Sequence, residues 1–483
     1  YNQSKYYSPS LQYYVPNAYQ GLVGRLTYEY ASRYLAEFNM GYNGTENFAK
    51  GKRFGFFPAV SLGWVISEEK FFPKNNIVKY LKVRGSYGEV GNDQIGGDRF
   101  LYLPSSYGAA SDSGVNKYNF GLASNPYTSL MIVENKIGNP DLTWEKAKKM
   151  NVGVDINLFN NCLTASFDIF KEKRNNILAN RSTSPMIIGA NLPAYNFGEM
   201  ENRGWEMDLN FRHHIQDFHY WARFNYSFAR NEIIYMDEVQ KRYDYQMTTG
   251  RRKNQFFGLI FDGYYNSWEE INALDRPKSS WSGNQLQPGD VKYVDVNQDG
   301  VIDDYDMVPI GYTPVPEIIY GFSFGAQYKG FDFSILFQGA DNVSIKYFGR
   351  SMWPFAKGEE SAKSLIKERW TQERYEAGEK ITFPRLSLNP NGETDHNYRP
   401  STLWIRDASY LRLKNLEVGY TFTGGFVKRL NLNSVRLYFN GSNLFTWTDV
   451  VDLDPEAPSR SGNVEINTYP LQKVYNIGLN INF

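Results

Sequence analysis

The chain has 483 residues, of which 42% are hydrophobic and 17% aromatic, and its 52 Lys and Arg balance its 52 Asp and Glu. Because the charges balance, the chain has no excess of positive charge that would attract nucleic acid. The single Cys excludes an intramolecular disulfide, and 4 His with 1 Cys support neither a zinc cluster nor a cysteine nucleophile. No stretch approaches the ~18 consecutive apolar residues of a membrane helix, so a helical membrane protein is excluded. Composition leaves a transmembrane β-barrel and a soluble all-β protein open.

Apolar and polar residues alternate along the whole chain, and this period predicts about 13 strands of the length used in membrane barrels. In one example, Trp205, Met207 and Leu209 alternate with the polar residues between them. The predicted strands cover residues 21–30, 34–42, 54–65, 78–87, 151–159, 163–171, 203–212, 218–230, 318–328, 331–339, 411–422, 435–445 and 474–483. We therefore predict an all-β fold, an antiparallel transmembrane β-barrel.

The predicted connections sort into short and long ones, and this sorting decides between a barrel and a soluble β fold. Tight turns are predicted at 31–33, 160–162, 213–217 and 329–330, and long loops at 91–150, 173–202, 231–317 and 340–410. Outer-membrane barrels place short turns on the periplasmic side and long loops outside. By the same phase, residues 1–20 belong to an extracellular loop segment.

The last strand alternates Tyr475, Ile477, Leu479 and Ile481 with Gly and Asn, and ends on Phe483. A strand that reaches the chain end is expected where both of its edges are paired, as in a closed barrel whose outer face contacts lipid. Single-chain bacterial barrels have even strand numbers, whereas about 13 are predicted here. We therefore expect that the preceding strands, which pair with this last strand, are not part of these 483 residues.

Several motifs resemble one family along nearly the whole chain. They include GNPDLTWEKAKKMNVGVDINLF (138–159), NFGEMENRGWEMDLNF (196–211), LWIRDASYLRLKNLEVGYTF (403–422) and VRLYFNGSNLFTWTD (435–449). These stretches resemble the SusC/RagA class of TonB-dependent outer-membrane transporters of Bacteroidetes. The resemblance implies a 22-stranded barrel with an N-terminal plug, of which residues 1–483 would be the C-terminal part, without the plug and the TonB box.

The resemblance also implies a function and partners. The chain would lie in the cell outer membrane, in contact with lipid and lipopolysaccharide, beside the N-terminal half of the same transporter. It would import large nutrients, glycans or peptides, with a SusD-like surface lipoprotein and with energy from TonB–ExbB–ExbD, and it would not be an enzyme. The alternative is a surface-exposed binding or adhesion β protein without transport activity, which would be soluble without detergent.

The motif DVNQDGVIDDYD (295–306) has the spacing of a calcium loop. Hard oxygen ligands at alternate positions wrap a cation, and the glycine at the sixth position, Gly300, permits a sharp turn. The predicted Ca²⁺ or Mg²⁺ ligands are Asp295, Asn297, Asp299, the carbonyl of Val301, Asp303 and Asp306. Asp at the twelfth position, where Glu is usual, resembles dockerin-type loops. The competing interpretation is a turn rich in Asp and Asn whose carboxylates bind no ion.

Two further sets of side chains are candidates for substrate binding. Aromatic faces stack on sugar rings, and Trp268, Trp281, Trp353 and Trp404 lie in predicted long loops. Arg223 and Arg436 are predicted to point into the lumen. For both sets a structural role competes: loop packing or a membrane girdle for the Trp residues, and ion pairs between strands for the Arg residues.

Overall fold

A computed structural model describes residues 2–6, 17–94, 100–103, 106–109, 117–122, 127–130, 132–183, 192–281, 286–347, 353–355, 364–387, 395–451, 453–456, 463–464 and 470–483. The strands of its main sheet are β1 (Asn2–Tyr6), β2 (Asn17–Tyr30), β3 (Tyr34–Thr45), β4 (Phe54–Val65), β5 (Val78–Asn92), β10 (Glu145–Leu158), β11 (Leu163–Ala179), β12 (Tyr195–Ile215), β13 (Phe218–Tyr235), β20 (Ile318–Tyr328), β21 (Phe331–Asp341), β24 (Tyr410–Phe422), β25 (Ser434–Thr448) and β27 (Val474–Asn482).

The remaining strands are short and lie in the connections. They are β6 (Ser106–Ala109), β7 (Lys117–Phe120), β8 (Tyr127–Leu130), β9 (Ile132–Lys136), β14 (Phe257–Gly258), β15 (Phe261–Tyr264), β16 (Lys278–Ser279), β17 (Val291–Tyr293), β18 (Val301–Ile302), β19 (Val308–Pro309), β22 (Ser344–Tyr347), β23 (Ile405–Asp407) and β26 (Asn463–Val464). The α-helices are α1 (Trp268–Ile271), α2 (Gln372–Glu376) and α3 (Gly425–Arg429). No helix among the described residues is long and apolar enough to cross a bilayer.

The main sheet, which we call the strand wall or simply the wall, joins 14 strands in sequence order, each antiparallel to the next. This confirms the predicted all-β fold. All 13 predicted strands are present. Residues 1–20, predicted to belong to an extracellular loop segment, contain an additional strand, because β1 pairs with the start of β2, Asn2 opposite Gly21. Within the described residues, β27 pairs only with β25, so the sheet is open at that edge.

The sheet has an apolar face and a polar face, because period-2 alternation is kept in register from strand to strand. On the apolar face, Leu437 lies opposite Leu479 and Phe439 opposite Ile477. This face is exposed: Ile477 keeps 81% of its surface accessible. A continuous exposed apolar surface of this kind is what a lipid-facing barrel wall requires.

Several strands are longer than predicted, and charged pairs explain the extra length. β12 has 21 residues and β11 has 17. At and beyond the ends of the predicted spans, Lys171 pairs with Glu201 and Lys173 with Glu199, each at 2.9 Å between nitrogen and oxygen. These ion pairs are diagonal across the two strands, since Lys171 lies directly opposite Arg203 and Lys173 opposite Glu201. Diagonal pairs of opposite charge stabilise strands whose side chains are polar, so the ladder continues beyond the segment that apolar alternation predicts.

The predicted five-residue turn 213–217 was also too long. β12 continues to Ile215 and β13 begins at Phe218, so that only Gln216 and Asp217 connect them. Gln216 adopts a φ of 54°, as two-residue hairpin turns demand. His213 and His214 therefore lie in a strand, not in a loop.

The long connections contain a hydrophobic core of their own, which we call the loop core. Its buried residues come from three connections: β13 to β20, β21 to β24 and β25 to β27. They are Leu259, Tyr264, Val291, Tyr293, Ile302, Val343, Ile345, Tyr347, Trp370, Phe383, Tyr398, Leu403, Trp404, Ala408 and Val450. Loops that pack around a core of their own have a defined conformation and present a defined surface.

Candidate functional site

The polar face carries arginines held by carboxylates from neighbouring strands. Arg84 on β5 reaches Asp155 on β10 at 3.1 Å and Asp168 on β11 at 2.6 Å, and Ser166 donates to Asp155 at 2.9 Å. Such half-exposed pairs contribute about 0–1 kcal/mol each to stability. Their effect is to line the polar face with charges that are held in fixed pairs.

The same arrangement recurs at Arg436 on β25, one of the predicted substrate residues. Its guanidinium contacts Asp332 on β21 and Glu417 on β24, the latter at 2.6 Å. The structure thus supplies the cross-strand ion pairs that compete with substrate binding at Arg436. Arg223 on β13 differs: its guanidinium lies 5.3 Å from the ring centre of Trp221, and it forms no ion pair among the described residues. Arg223 remains a predicted contact for solute.

A groove of about 500 Å³ lies on the wall beside Arg84. Its polar lining includes Glu37, Lys82 and Asn151, and Glu37 also pairs with Arg25 at 2.7 Å. A second groove of about 290 Å³ lies at the loop end of the wall, bordered by Arg252 and Glu317. Both are lined by charges of both signs, which suits polar solutes and water.

Glu317 connects the loops to the wall through two ion pairs. The sequence did not predict this residue as part of a site. It is 5% exposed and receives guanidinium hydrogen bonds from Arg230 on the wall, at 2.8 Å, and from Arg252 in the loop. Burial alone would raise the pKa of Glu317, but the two arginines hold it below its ordinary value. A lone Glu at a strand start gives no signal in sequence, because its partners are 65 and 87 residues away.

Arg412 forms a second tie between wall and loops. It is 2% exposed and binds Asp454 at 2.6 Å and Glu456 at 2.8 Å, both from the connection that follows β25. Burial raises the pKa of Asp454, but the hydrogen bonds from Arg412 and from the amides of Glu456 and Leu471, with the charge of Arg412, together lower it below its ordinary value. Arg412 lies opposite Gln338 and Thr446, on the polar face of the sheet.

The four candidate Trp residues do not share one environment. Trp404 is 2% exposed, and its Nε1 donates to the carbonyl of Asn397 at 2.8 Å. The prediction of substrate binding by Trp404 is therefore wrong, since a ring inside the loop core offers no face to a sugar. Trp353 packs against the loop core, 5.9 Å between ring centres from Tyr398. Trp281 is half-buried with the guanidinium of Arg399 4.0 Å from its ring centre.

Trp268 is the exposed member of the set, with 52% of its surface accessible. An aromatic cluster that sequence reasoning missed is also partly accessible. Tyr243 and Tyr245 stack at 5.2 Å, and Arg242 lies 4.9 Å from the ring centre of Tyr305. These residues come from positions 60 apart in sequence, so only the fold brings them together.

The 295–306 loop folds around its own carboxylates. Asp295 accepts hydrogen bonds from the amides of Gln298, at 2.7 Å, and Gly300, at 2.8 Å. Gly300 has a φ of 81°, the left-handed conformation expected at the sixth position. Asn297 and Asp299 each accept an amide two residues on, at 2.9 Å.

Asp306, the twelfth residue of that motif, is completely buried. It accepts the amides of Val296, at 2.8 Å, and Asp303, at 2.9 Å, and so closes the loop on itself. Burial raises the pKa of Asp306, although these amides act in the opposite direction. Over the described parts of the chain, no group of three or more His, Cys, Asp or Glu side chains is arranged to hold a metal ion. Calcium binding at this loop stays a prediction.

A buried histidine joins this loop to the loop core. The ring of His396, 8% exposed, accepts from the Ser279 hydroxyl at Nδ1, 2.9 Å, and donates from Nε2 to the Val291 carbonyl, 2.7 Å. We assign this tautomer because a carbonyl can only accept. Ser279 belongs to β16, which pairs with β18 inside the calcium-like motif. Burial lowers the pKa of His396.

A family model described as "TonB dependent receptor-like, beta-barrel" matches residues 1–444. The chain is 28% identical over 479 residues to TonB-dependent receptor P3 of Formosa agariphila, covering 95% of this chain and 45% of the relative. It is also 28% identical over 477 residues to TonB-dependent receptor SusC of Bacteroides thetaiotaomicron, covering 98% and 44%. The chain thus spans about half the length of these relatives.

Solved structures show the same architecture. The RagAB peptide importer in its "open-open" state superposes with a TM-score of 0.73 at 22% identity, over 97% of this chain and 47% of that one. The RagAB peptide transporter gives a TM-score of 0.72 at 24% identity, over 97% and 48%. At this identity the likeness establishes the fold alone.

Proposed function

The chain belongs to the TonB-dependent receptor β-barrel family of the outer membrane, and from this premise we propose that it supplies wall and surface loops to a transporter for large nutrients. The observation that carries the proposal is the division of the molecule: an apolar face for lipid, a polar face with paired charges, and long connections gathered into one loop core. A transport wall needs all three, whereas a soluble binding protein would hide the apolar face.

We propose further that strands outside these 483 residues complete the barrel. Two observations support this: β27 pairs on one edge only among the described residues, and the matched relatives are about twice as long. An open edge with nine residues of unpaired backbone is costly in a membrane. Energy transfer from TonB–ExbB–ExbD would act through that remaining part of the protein.

The cargo class follows from the surface that the loops present. We propose glycans or peptides as cargo, taken up together with a SusD-like surface lipoprotein. The exposed face of Trp268 and the partly exposed Tyr243 and Tyr305 suit stacking on sugar rings or aromatic side chains. Mixed charges along the wall, including Arg223, which has no ion pair within the part of the chain that the structure describes, suit a polar, hydrated solute. Two matched solved structures are named as a peptide importer and a peptide transporter, which supports peptides as one of the two proposed cargo classes.

One experiment tests transport and partnership together. The complex would be extracted from the outer membrane in detergent, and the lipoprotein that co-purifies would be identified by mass spectrometry. Uptake of labelled glycan and peptide mixtures by intact cells would be measured with and without an uncoupler of the proton gradient. We expect a surface lipoprotein in the complex and uptake that the uncoupler abolishes. A chain that is soluble without detergent, or binding without uptake, would favour a surface-exposed binding or adhesion protein.

A further inference from the structure

Soft metal-binding side chains are concentrated at one place in this molecule. The chain has 4 His and 1 Cys. Cys162, His213, His214 and His219 all lie at two neighbouring hairpin turns, β10–β11 and β12–β13, and only His396 lies elsewhere. Both turns are short connections, which in this family of barrels lie on the periplasmic side.

Within this group, His214 and His219 form a cross-strand pair. They lie directly opposite each other in the β12–β13 register, and their ring centres are 5.5 Å apart with an angle of 26° between the ring planes. Both side chains are exposed. Alternation sends His213 to the other face of the strand, where its Nδ1 lies 3.5 Å from the Sγ of Cys162. The two pairs are thus separated by the sheet.

We propose that His214 and His219 chelate a borderline divalent cation, Zn²⁺, Ni²⁺ or Cu²⁺, on the polar face at the periplasmic rim. Neutral imidazole is a preferred ligand for these metals, whereas Ca²⁺ and Mg²⁺ select oxygen. Two nitrogens bound to one Zn²⁺ at ~2.0–2.1 Å with tetrahedral angles lie about 3.3 Å apart. Stacked rings on directly opposed residues reach this spacing by side-chain rotation alone, because the backbone already places them side by side.

The site is open. It has two protein ligands, since the described residues offer no third His, Cys, Asp or Glu in an arrangement that could complete a cluster. Gln327 lies beside His219 on the adjacent strand β20 and faces the same side. The remaining positions would be filled by water or by a ligand from another segment or chain that approaches the rim. Binding would lock the tip of the β12–β13 hairpin, whose connection is only Gln216 and Asp217.

The Cys162–His213 pair is the alternative site that the test must separate. Its distance also permits shared coordination, but a thiol has to lose its proton before it binds a metal, whereas neutral imidazole binds directly. We therefore assign the metal to the two imidazoles.

The experiment uses the full chain in detergent, purified without a polyhistidine tag, and Cu²⁺ as the probe. Electron paramagnetic resonance should show one bound Cu²⁺ with two equatorial nitrogens. His214→Gln and His219→Gln should each weaken binding at least ~10-fold, since loss of even an outer-shell partner costs 10–100-fold. The matched controls His213→Gln and Cys162→Ser should bind as the parent does.

Circular dichroism on every variant would verify that the sheet is intact, which is expected for exposed side chains at a hairpin tip. Unchanged Cu²⁺ binding in His214→Gln and His219→Gln would overturn the proposal. Loss of binding in Cys162→Ser or His213→Gln alone would also overturn it, because it would place the metal on the other face of the strand.

Discussion

The strand wall and the loop core solve the same problem of burial in opposite ways. The wall leaves Ile477 81% exposed and keeps its charges in cross-strand pairs, whereas the loop core buries Trp404 to 2% and surrounds it with other aromatic rings. The apolar side chains of the wall point outward because they contact lipid instead of a protein core. The loop core is built like a water-soluble domain. The two regions should therefore respond differently to the same kind of substitution.

The largest effect is expected from Trp404→Ala. The ring packs at 5.4 Å from Phe383 and 5.4 Å from Tyr398, and a buried Trp→Ala change costs about 3–5 kcal/mol. Hydrogen exchange should rise across the loop core while β20 and β21 remain protected. Trp268→Ala, at a site 52% exposed, is the matched control and should leave exchange unchanged. An equal rise in the wall would show that the two regions are one cooperative unit.

Glu317→Gln should uncouple the two regions. The change leaves Arg230 and Arg252 without their shared carboxylate, and removing one partner of a buried ion pair costs about 3 kcal/mol. Because the pKa of Glu317 is lowered, its contribution is present above the pKa of an exposed Glu and is lost as pH falls through the lower folded value. Trypsin cleavage near Arg252 would report the release of the loop. Glu238→Gln, a loop carboxylate that binds Thr248 and Thr249 without an ion pair among the described contacts, serves as the control.

Ile477→Arg tests the wall directly. A charge on the lipid face near the middle of β27 should cost about 2–4 kcal/mol of unfolding free energy in lipid vesicles. Asn476→Arg, one residue away and on the polar face, should cost much less, since Asn476 is exposed there and its side chain bonds to the polar Asn440. Urea unfolding followed by fluorescence would measure both. Equal costs would contradict the assignment of faces.

A smaller effect is expected from pH on the loop core. His396 has a lowered pKa, so the folded loop core keeps it neutral while the unfolded chain takes up a proton below about pH 6.5. Stability should therefore fall as pH drops through this window. The neighbouring carboxylates Asp290 and Asp395 favour the charged ring but do not outweigh burial. Hydrogen exchange at pH 7.5 and 5.5 would measure the change, and His396→Gln should remove most of it.

The smallest effect is expected from calcium. If the 295–306 loop binds Ca²⁺ with the millimolar affinity of extracellular sites, 10 mM Ca²⁺ should stabilise the loop by about 1 kcal/mol. Asp295→Ala with Asp299→Ala should abolish calorimetric binding of Ca²⁺. Equal protease resistance of the parent loop with Ca²⁺ and with chelator would count against the prediction and favour a turn held by its own amides.

The strands of the wall could be predicted from the sequence because apolar and polar residues alternate along each of them. The span of β20 was predicted to the residue. The spans of β11 and β12 were too short, partly because charged pairs such as Lys173–Glu199 extend the ladder beyond the apolar alternation. The loop core could not be predicted in this way. Trp404 and Phe383 belong to no periodic pattern, and the partners of Glu317 and His396 are tens to more than a hundred residues away.

The measurement that tests the account most directly is the environment of β27. In a Cys162→Ser background, nitroxide labels would be placed singly at Ile477 and Asn480 of the membrane-embedded protein. Oxygen dissolves in lipid and a nickel chelate stays in water, so collision rates with each distinguish the two faces. The account predicts that Ile477 collides mainly with oxygen and Asn480 mainly with the chelate. Equal access of the chelate to both labels would show that this strand is not part of a lipid-facing wall.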